Sequence, residues 1–202
     1  MFDYGGVLSE GGRAGTLNSI VQDHYGVKPD AEHLAGLHDN LRKGEICSED
    51  FFSALNERYG GEPLLPETYL HRANYIPNAA EEVYSLADQL RRHDIRTGIL
   101  SNVYRMSARR LRAMGRYDGF DPVLLSCDEG MAKPDEKFFE AAVERTGVAA
   151  QEIVFIDDQE KNLPIARKLG MMVVKSVNPK QVVKDVNDLI FRHNGIVLQA
   201  AA

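Results

Sequence analysis

From residue 81 onward, apolar residues recur with two alternating periods. In EEVYSLADQLRRHD (81–94), Val83, Leu86, Ala87 and Leu90 fall at helical spacing, and IRTGIL (95–100) follows as a short strand pattern ending at Ser101. The cycle returns with RMSARRLRAM (105–114) and PVLLS (122–126), then with PDEKFFEAAVERTG (134–147) and EIVFID (152–157). It closes with KNLPIARKLG (161–170), MMVVKSV (171–177) and a last helix, PKQVVKDVNDLIFRH (179–193). Runs such as IVFI and MMVV are apolar without a break, as strands covered on both faces must be, and Met171 and Met172 read as strand core. The pattern predicts a doubly wound, Rossmann-like α/β domain: a parallel sheet with helices above and below.

Residues 9–78 read differently. TLNSIVQDHYG, DAEHLAGLHDNLRKG, SEDFFSALNERYG and PETYLHRAN are amphipathic helical stretches separated by Gly and Pro, with no convincing strand among them. Ser48 is the expected N-cap of the third, with Glu49 and Asp50 in its first turn. The expected organisation is therefore an α/β core made of 1–8 and 79–202, with a helical cap, 9–78, inserted after the first strand. That strand is short. Only Met1 and Phe2 precede Asp3, whereas strands typically run about 5 to 6 residues, so either the chain starts late or the central strand is a stub.

Composition narrows the function. The 202 residues carry a formal net charge of −6, and Lys and Arg are scattered, so the basic footprint of a nucleic-acid binder is missing. The Arg109, Arg110, Arg112 and Arg116 cluster reads as a solvated helix face. No stretch approaches ~18 uninterrupted apolar residues and the first residues lack the pattern of a signal peptide, so a cytoplasmic protein without a membrane partner is expected, as monomer or homodimer. Cys47 and Cys127 lie far apart with no zinc-ligand spacing, and free thiols are expected.

Open parallel sheets bind ligands at the carboxyl ends of their strands. The expected strands end there in Asp3 (FDYGGVL), in Ser101 and Asn102 (GILSN), and in Asp157 and Asp158 (VFIDDQEKN), while LLSCDEGMAKPD brings in Lys133. A carboxylate, a hydroxyl and amide, an ammonium and an acidic pair would converge on one rim. Such a set suits phosphoryl transfer. Asp3 can attack phosphorus and form an aspartyl phosphate, Lys133 and Ser101 can balance charge on the equatorial oxygens, and Asp3, Asp158 and Asp157 suit Mg²⁺, which takes one or two carboxylates with phosphate oxygen and water. Two adjacent carboxylates after a buried strand also repel each other, which a cation relieves.

With FDYGGVL, LSN, KPD and FIDDQEKN in this order, the sequence resembles the haloacid dehalogenase (HAD) superfamily, phosphatase type, over essentially the whole chain. RKGEICSEDFF within the insertion resembles a cap signature shared by glucose-1-phosphate phosphatases and the N-terminal domain of soluble epoxide hydrolases. The resemblance implies that Asp3 is nucleophile and Mg²⁺ ligand and that the Gly5 carbonyl is a second ligand. It further implies that Ser101, Asn102 and Lys133 bind phosphate, that Asp157 and Asp158 complete the metal site, and that the substrate is a small phosphorylated metabolite.

One departure matters. Phosphatases of this family place a second Asp two residues after the nucleophile, as general acid and base, and here that position is Gly5. Such help is typically worth about 10²- to 10⁴-fold, so slow hydrolysis of alkyl phosphates is expected, with acyl and aryl phosphates less affected. His24, His33, His38 and His71 lie in the insertion and are candidate substitutes. The alternatives are a 2-haloacid dehalogenase, which would leave the acidic pair unexplained, and a non-catalytic phosphate-binding or regulatory module.

Overall fold

The computed structural model describes residues 1–10, 17–72 and 78–196. The parts of the expected cap at 11–16 and 73–77, and the tail 197–202, lie outside the described residues.

Among the described residues, four strands and the residues around Phe2 build one parallel sheet. β1 (Ile99–Ser101) pairs with β2 (Val123–Leu125), and β3 (Val154–Asp157) pairs with β4 (Met172–Lys175). Phe2 joins the two pairs through parallel bridges to Ile99 and Ile156, giving the order β2, β1, Phe2, β3, β4. Around Phe2 the central strand is held by Phe2 N to Gly98 O (2.8 Å), Leu100 N to Phe2 O (3.0 Å) and Asp3 N to Ile156 O (2.9 Å). Asp3 follows Phe2 at the carboxyl end of this strand, level with Ser101 and Asp157.

Successive strand residues point to opposite faces, and here they enter different cores. Ile99, Leu125 and Ile156 join the cluster under α5 (Glu81–Arg92) and α10 (Pro179–Asn194). Leu100, Leu124 and Phe155 join the cluster under α8 (Glu136–Thr146) and α9 (Leu163–Lys168). This is the doubly wound arrangement that the unbroken apolar runs require. Met171 is buried just before β4, and Met172 is half-buried within it.

The described part of the block after the first strand folds as four helices: α1 (Leu17–Tyr25), α2 (Ala31–Lys43), α3 (Ser48–Tyr59) and α4 (Pro66–Arg72). They share their own apolar cluster, from Ile20 and Val21 through Leu34, Leu41, Phe51, Phe52, Leu55 and Leu64 to Tyr69, and Tyr104 of the α/β part enters it. Tyr104 closes the first turn before α6 (Arg105–Ala113); its ring packs edge-on to His38, and its hydroxyl lies 3.3 Å from that of Tyr69. The N-cap of α3 is Cys47, not Ser48: the Cys47 sulfur accepts from Asp50 N at 3.4 Å, and Ser48 is the first helical residue.

Several elements are shorter than the sequence pattern: β1 begins at Ile99 instead of Ile95, β3 at Val154 instead of 152, β4 spans Met172–Lys175 instead of 171–177, and α9 spans Leu163–Lys168 instead of 161–170. Two further boundaries have a clear local reason. Ser126 leaves the strand and opens a short helix, α7 (Ser126–Glu129), because its hydroxyl is engaged by Val103 N (3.0 Å) and by the Arg42 carbonyl (2.6 Å). α8 begins at Glu136 instead of Pro134, since Asp135 sits in a turn donating to Ala132 O at 2.8 Å. Among the described residues no helix is long and apolar enough to cross a membrane.

Candidate active site

Asp3, Ser101, Lys133 and Asp157 meet at the carboxyl rim of the sheet, where all four are buried. The Asp3 carboxylate is held through one oxygen. Its Oδ1 accepts from Tyr4 N (2.7 Å), Ser101 Oγ (2.7 Å) and Lys133 Nζ (2.9 Å). That fixes the carboxylate plane and leaves Oδ2 as the atom available for chemistry.

Lys133 lies between two acids. Its ammonium is 2.9 Å from Asp3 and 2.6 Å from Asp157, in a pocket that leaves the side chain about 1% exposed. Asp157 is largely engaged: Oδ2 takes Lys133 Nζ and Asn162 Nδ2 (2.9 Å), and Oδ1 takes Gln159 N (2.6 Å). Asn102 spans the loop on both sides, donating to Lys133 O (2.8 Å) and accepting from Lys133 N (2.8 Å). Its side chain therefore fixes the backbone that carries the ammonium.

Electrostatics follow from this burial. Burial alone would lower Lys133, but Asp3 and Asp157 outweigh it and hold the ammonium above its ordinary pKa. For Asp3 burial wins over the ammonium and the Ser101 bond, and the carboxyl is pushed up to about 6. Asp158 is raised by burial and by the neighbouring Asp157 charge.

Asp158 is the open acid. One of its oxygens, Oδ1, is buried without a hydrogen-bond partner, and oxygens of Asp3, Asp157 and Asp158 all lie within 4.8 Å of one another. Lys175 donates to the Asp158 carbonyl, which sets the turn after β3. Gly6 closes the other side. At φ +72° it occupies the left-handed region, and a Cβ there would sit 2.7 Å from the Asp158 carboxyl, so only glycine lets this turn approach the acid. Ser176 Oγ pins the turn by donating to Gly6 O at 2.7 Å.

This donor set fits a divalent cation. Three carboxylates around one buried ammonium leave an excess of negative charge, an orphaned buried oxygen marks the place for a partner, and oxygen donors without His or Cys suit Mg²⁺. Asp3 and Asp158 have free lone pairs for direct contact, whereas Asp157 has few left.

Gly5 lies in the exposed turn between Asp3 and Gly6, and nothing stands within 4 Å of where its Cβ would be. The cap histidines are dispersed. His24 bonds the Glu62 carbonyl at 2.8 Å, His33 sits in the first turn of α2 beside Asp30, His71 is exposed on α4, and His38 packs on Tyr104. Sequence reasoning missed Asn162, Gly6, Ser176 and Lys175. Asn162 alone carried a signal, standing within the acidic motif five residues after Asp157.

A family model for haloacid dehalogenase-like hydrolases matches residues 49–170. The chain belongs to that family of hydrolases. It is 27% identical over 176 residues to a sesquiterpene phosphatase of Aspergillus oryzae, spanning 85% of this chain and 86% of that one. It is also 26% identical over 200 residues to mouse acyl-CoA dehydrogenase family member 10; the match takes in 94% of this chain but only 19% of that much longer protein. Among solved structures, a HAD family enzyme of Bacteroides thetaiotaomicron in complex with magnesium and inorganic phosphate superposes with a TM-score of 0.68 at 22% identity, covering 88% of this chain and 93% of that one.

Proposed function

We propose that this protein is a Mg²⁺-dependent phosphomonoester hydrolase acting on a small phosphorylated metabolite through an aspartyl phosphate on Asp3. The carrying observation is the Asp3 carboxylate, fixed through Oδ1 by Ser101 and Lys133 beside the orphaned oxygen of Asp158. The names of the relatives support a phosphatase, and the magnesium and phosphate in the Bacteroides enzyme support the metal.

Asp3 Oδ2 attacks phosphorus, the phosphorus–oxygen bond to the leaving group breaks, and the leaving group departs as an alkoxide, aryloxide or carboxylate. Ser101 Oγ and Lys133 Nζ, which lie within 3 Å of Asp3 Oδ1, are placed to bond phosphoryl oxygens as phosphorus meets the neighbouring Oδ2. Water then attacks phosphorus, the bond to Asp3 breaks, and phosphate leaves with the carboxylate restored. A bound Mg²⁺, held by Asp3 and Asp158 with Asp157 and the Gly5 carbonyl as further candidate donors, would neutralise the repulsion between carboxylate and phosphate. Asn102 acts on Lys133 by fixing its backbone.

With glycine at position 5, nothing on that turn protonates the leaving group. Phosphates whose leaving groups need no proton, acyl and aryl phosphates, are therefore the favoured substrates. The test is turnover of acetyl phosphate, para-nitrophenyl phosphate and sugar phosphates with Mg²⁺ and with chelator, in wild type and Asp3→Asn. Metal-dependent turnover lost in the variant is expected. Equal turnover in the variant, or halide release without metal, contradicts the reading.

A further inference from the structure

The turn that ends α2 touches both of the loops that carry the expected phosphate ligands. Ser126, fully buried at the start of α7, is the junction. Its single hydroxyl proton goes to the Arg42 carbonyl at 2.6 Å, since the other acceptor within reach, the Val103 carbonyl, lies 3.3 Å away. The same oxygen accepts from Val103 N at 3.0 Å. One side chain therefore bridges the end of α2 to the residue that follows Asn102.

From there the chain of bonds is short. Asn102 holds both backbone groups of Lys133, at 2.8 Å each, and Ser101, one residue earlier, donates to Asp3 at 2.7 Å. The Lys133 loop is tied to the same turn from its far side, where Lys43 lies 3.4 Å from Asp135. Asp135 N donates to Ala132 O at 2.8 Å, which closes that loop around Lys133. The Asp158 turn is braced elsewhere: Lys175 holds the Asp158 carbonyl, and Ser176 holds Gly6. Phosphate ligands and acidic turn thus have separate supports, the end of α2 for the first and the end of β4 for the second.

We propose that Ser126 is a positioning residue for phosphate binding, coupling the docked turn of α2 to the backbone that carries Ser101, Asn102 and Lys133. That role rests on the reading of Ser101 and Lys133 as phosphate ligands. Removing the hydroxyl leaves the buried Val103 amide without its acceptor and the Arg42 carbonyl without its donor. The segment 101–103 is then free to shift, and Lys133 shifts with it through Asn102. Small displacements of positioned groups are costly even when they arise away from the reacting atoms. The Lys43–Asp135 pair is partly exposed and contributes less, so the weight falls on the hydroxyl.

The test is calorimetric titration of the full chain with inorganic phosphate in Mg²⁺ buffer, and in parallel with Mg²⁺ alone, for wild type, Ser126→Ala and Lys43→Met. In Ser126→Ala, phosphate affinity should fall about tenfold, the worth of one buried hydrogen bond. Its Mg²⁺ affinity should match wild type, and hydrogen exchange at the Val103 amide should quicken. Lys43→Met keeps both Ser126 bonds and should weaken phosphate by about two- to threefold, in the range of a partly exposed ion pair. Unchanged phosphate affinity in folded Ser126→Ala overturns the proposal. So does an equal loss for phosphate and Mg²⁺, which marks general loosening. If Ser126→Ala does not fold, Lys43→Met decides, and phosphate binding equal to wild type overturns the proposal. A wild type that binds no phosphate defeats the phosphatase reading itself, and the role of Ser126 with it.

Discussion

At Lys133 one ammonium faces two buried carboxylates, so removing it costs more than its own contacts. Lys133→Met leaves uncompensated buried charge, for which losses of about 3–5 kcal/mol are typical; chemical denaturation should show a loss of that order together with loss of turnover. Positions 5 and 6 behave oppositely although both are glycine. Gly5 has open space and no positive φ, so Gly5→Asp should fold normally and raise turnover of alkyl phosphates by about 10²-fold or more, towards the range of general acid catalysis. Unchanged turnover on alkyl phosphates with intact folding would contradict the account of the missing acid. Asp3 supplies a pH signature. Its folded pKa, about 6 against 3.8, is raised, so the metal-free folded state holds an extra proton between those values. That contribution to stability is present at low pH and is lost as pH rises through about 6. Metal binding must displace the same proton, so Mg²⁺ affinity measured by calorimetry should fall by up to about tenfold per pH unit below 6.

At the scale of elements, α2 packs on α7 and joins the four-helix block to the α/β part. Gly44 ends α2 at φ +70°, and a Cβ there would meet the Cys127 carbonyl, while Arg105 donates to that carbonyl at 2.9 Å and Lys43 lies 3.4 Å from Asp135. Gly44→Ala should therefore cost at least the roughly 1–2 kcal/mol of a left-handed alanine, read as a lowered melting temperature. The RKGEICSEDFF stretch resembles a cap signature, but its docking turn at Gly44 was not legible, because the partner carbonyl of Cys127 lies far away in sequence. The alternating pattern made the strands and helices legible, since burial on both faces demands unbroken apolar runs. α7 was not legible: four residues cannot show a helical period, and a tertiary bond from Ser126 to Arg42 decides it. The meeting of Asp3, Ser101, Lys133 and the acidic pair was readable from their expected places at strand ends. The division of labour between Asp157, which anchors Lys133, and Asp158, which keeps an orphaned oxygen, depends on hydrogen bonds that spacing does not encode.

At the scale of the molecule, a sheet rim carries the candidate site, and four helices with their own apolar cluster join the α/β part through α2, α7 and Tyr104. Tyr104 links the two, being buried in the cap cluster just beyond Ser101 and Asn102. Tyr104→Ala removes a fully packed aromatic, a change that typically costs about 3–5 kcal/mol. It should loosen the cap, raising KM for bulky phosphates more than for acetyl phosphate; an equal effect on both would place Tyr104 outside substrate closure. The central claim is that Asp3 becomes phosphorylated. The measurement that reaches it most directly is mass spectrometry of enzyme acid-quenched during turnover of acetyl phosphate with Mg²⁺. A single phosphoryl group, labile to hydroxylamine, is predicted on the peptide bearing Asp3, absent with chelator and absent in Asp3→Asn. Steady turnover with no adduct on that peptide, or an adduct that persists in Asp3→Asn, would contradict the account.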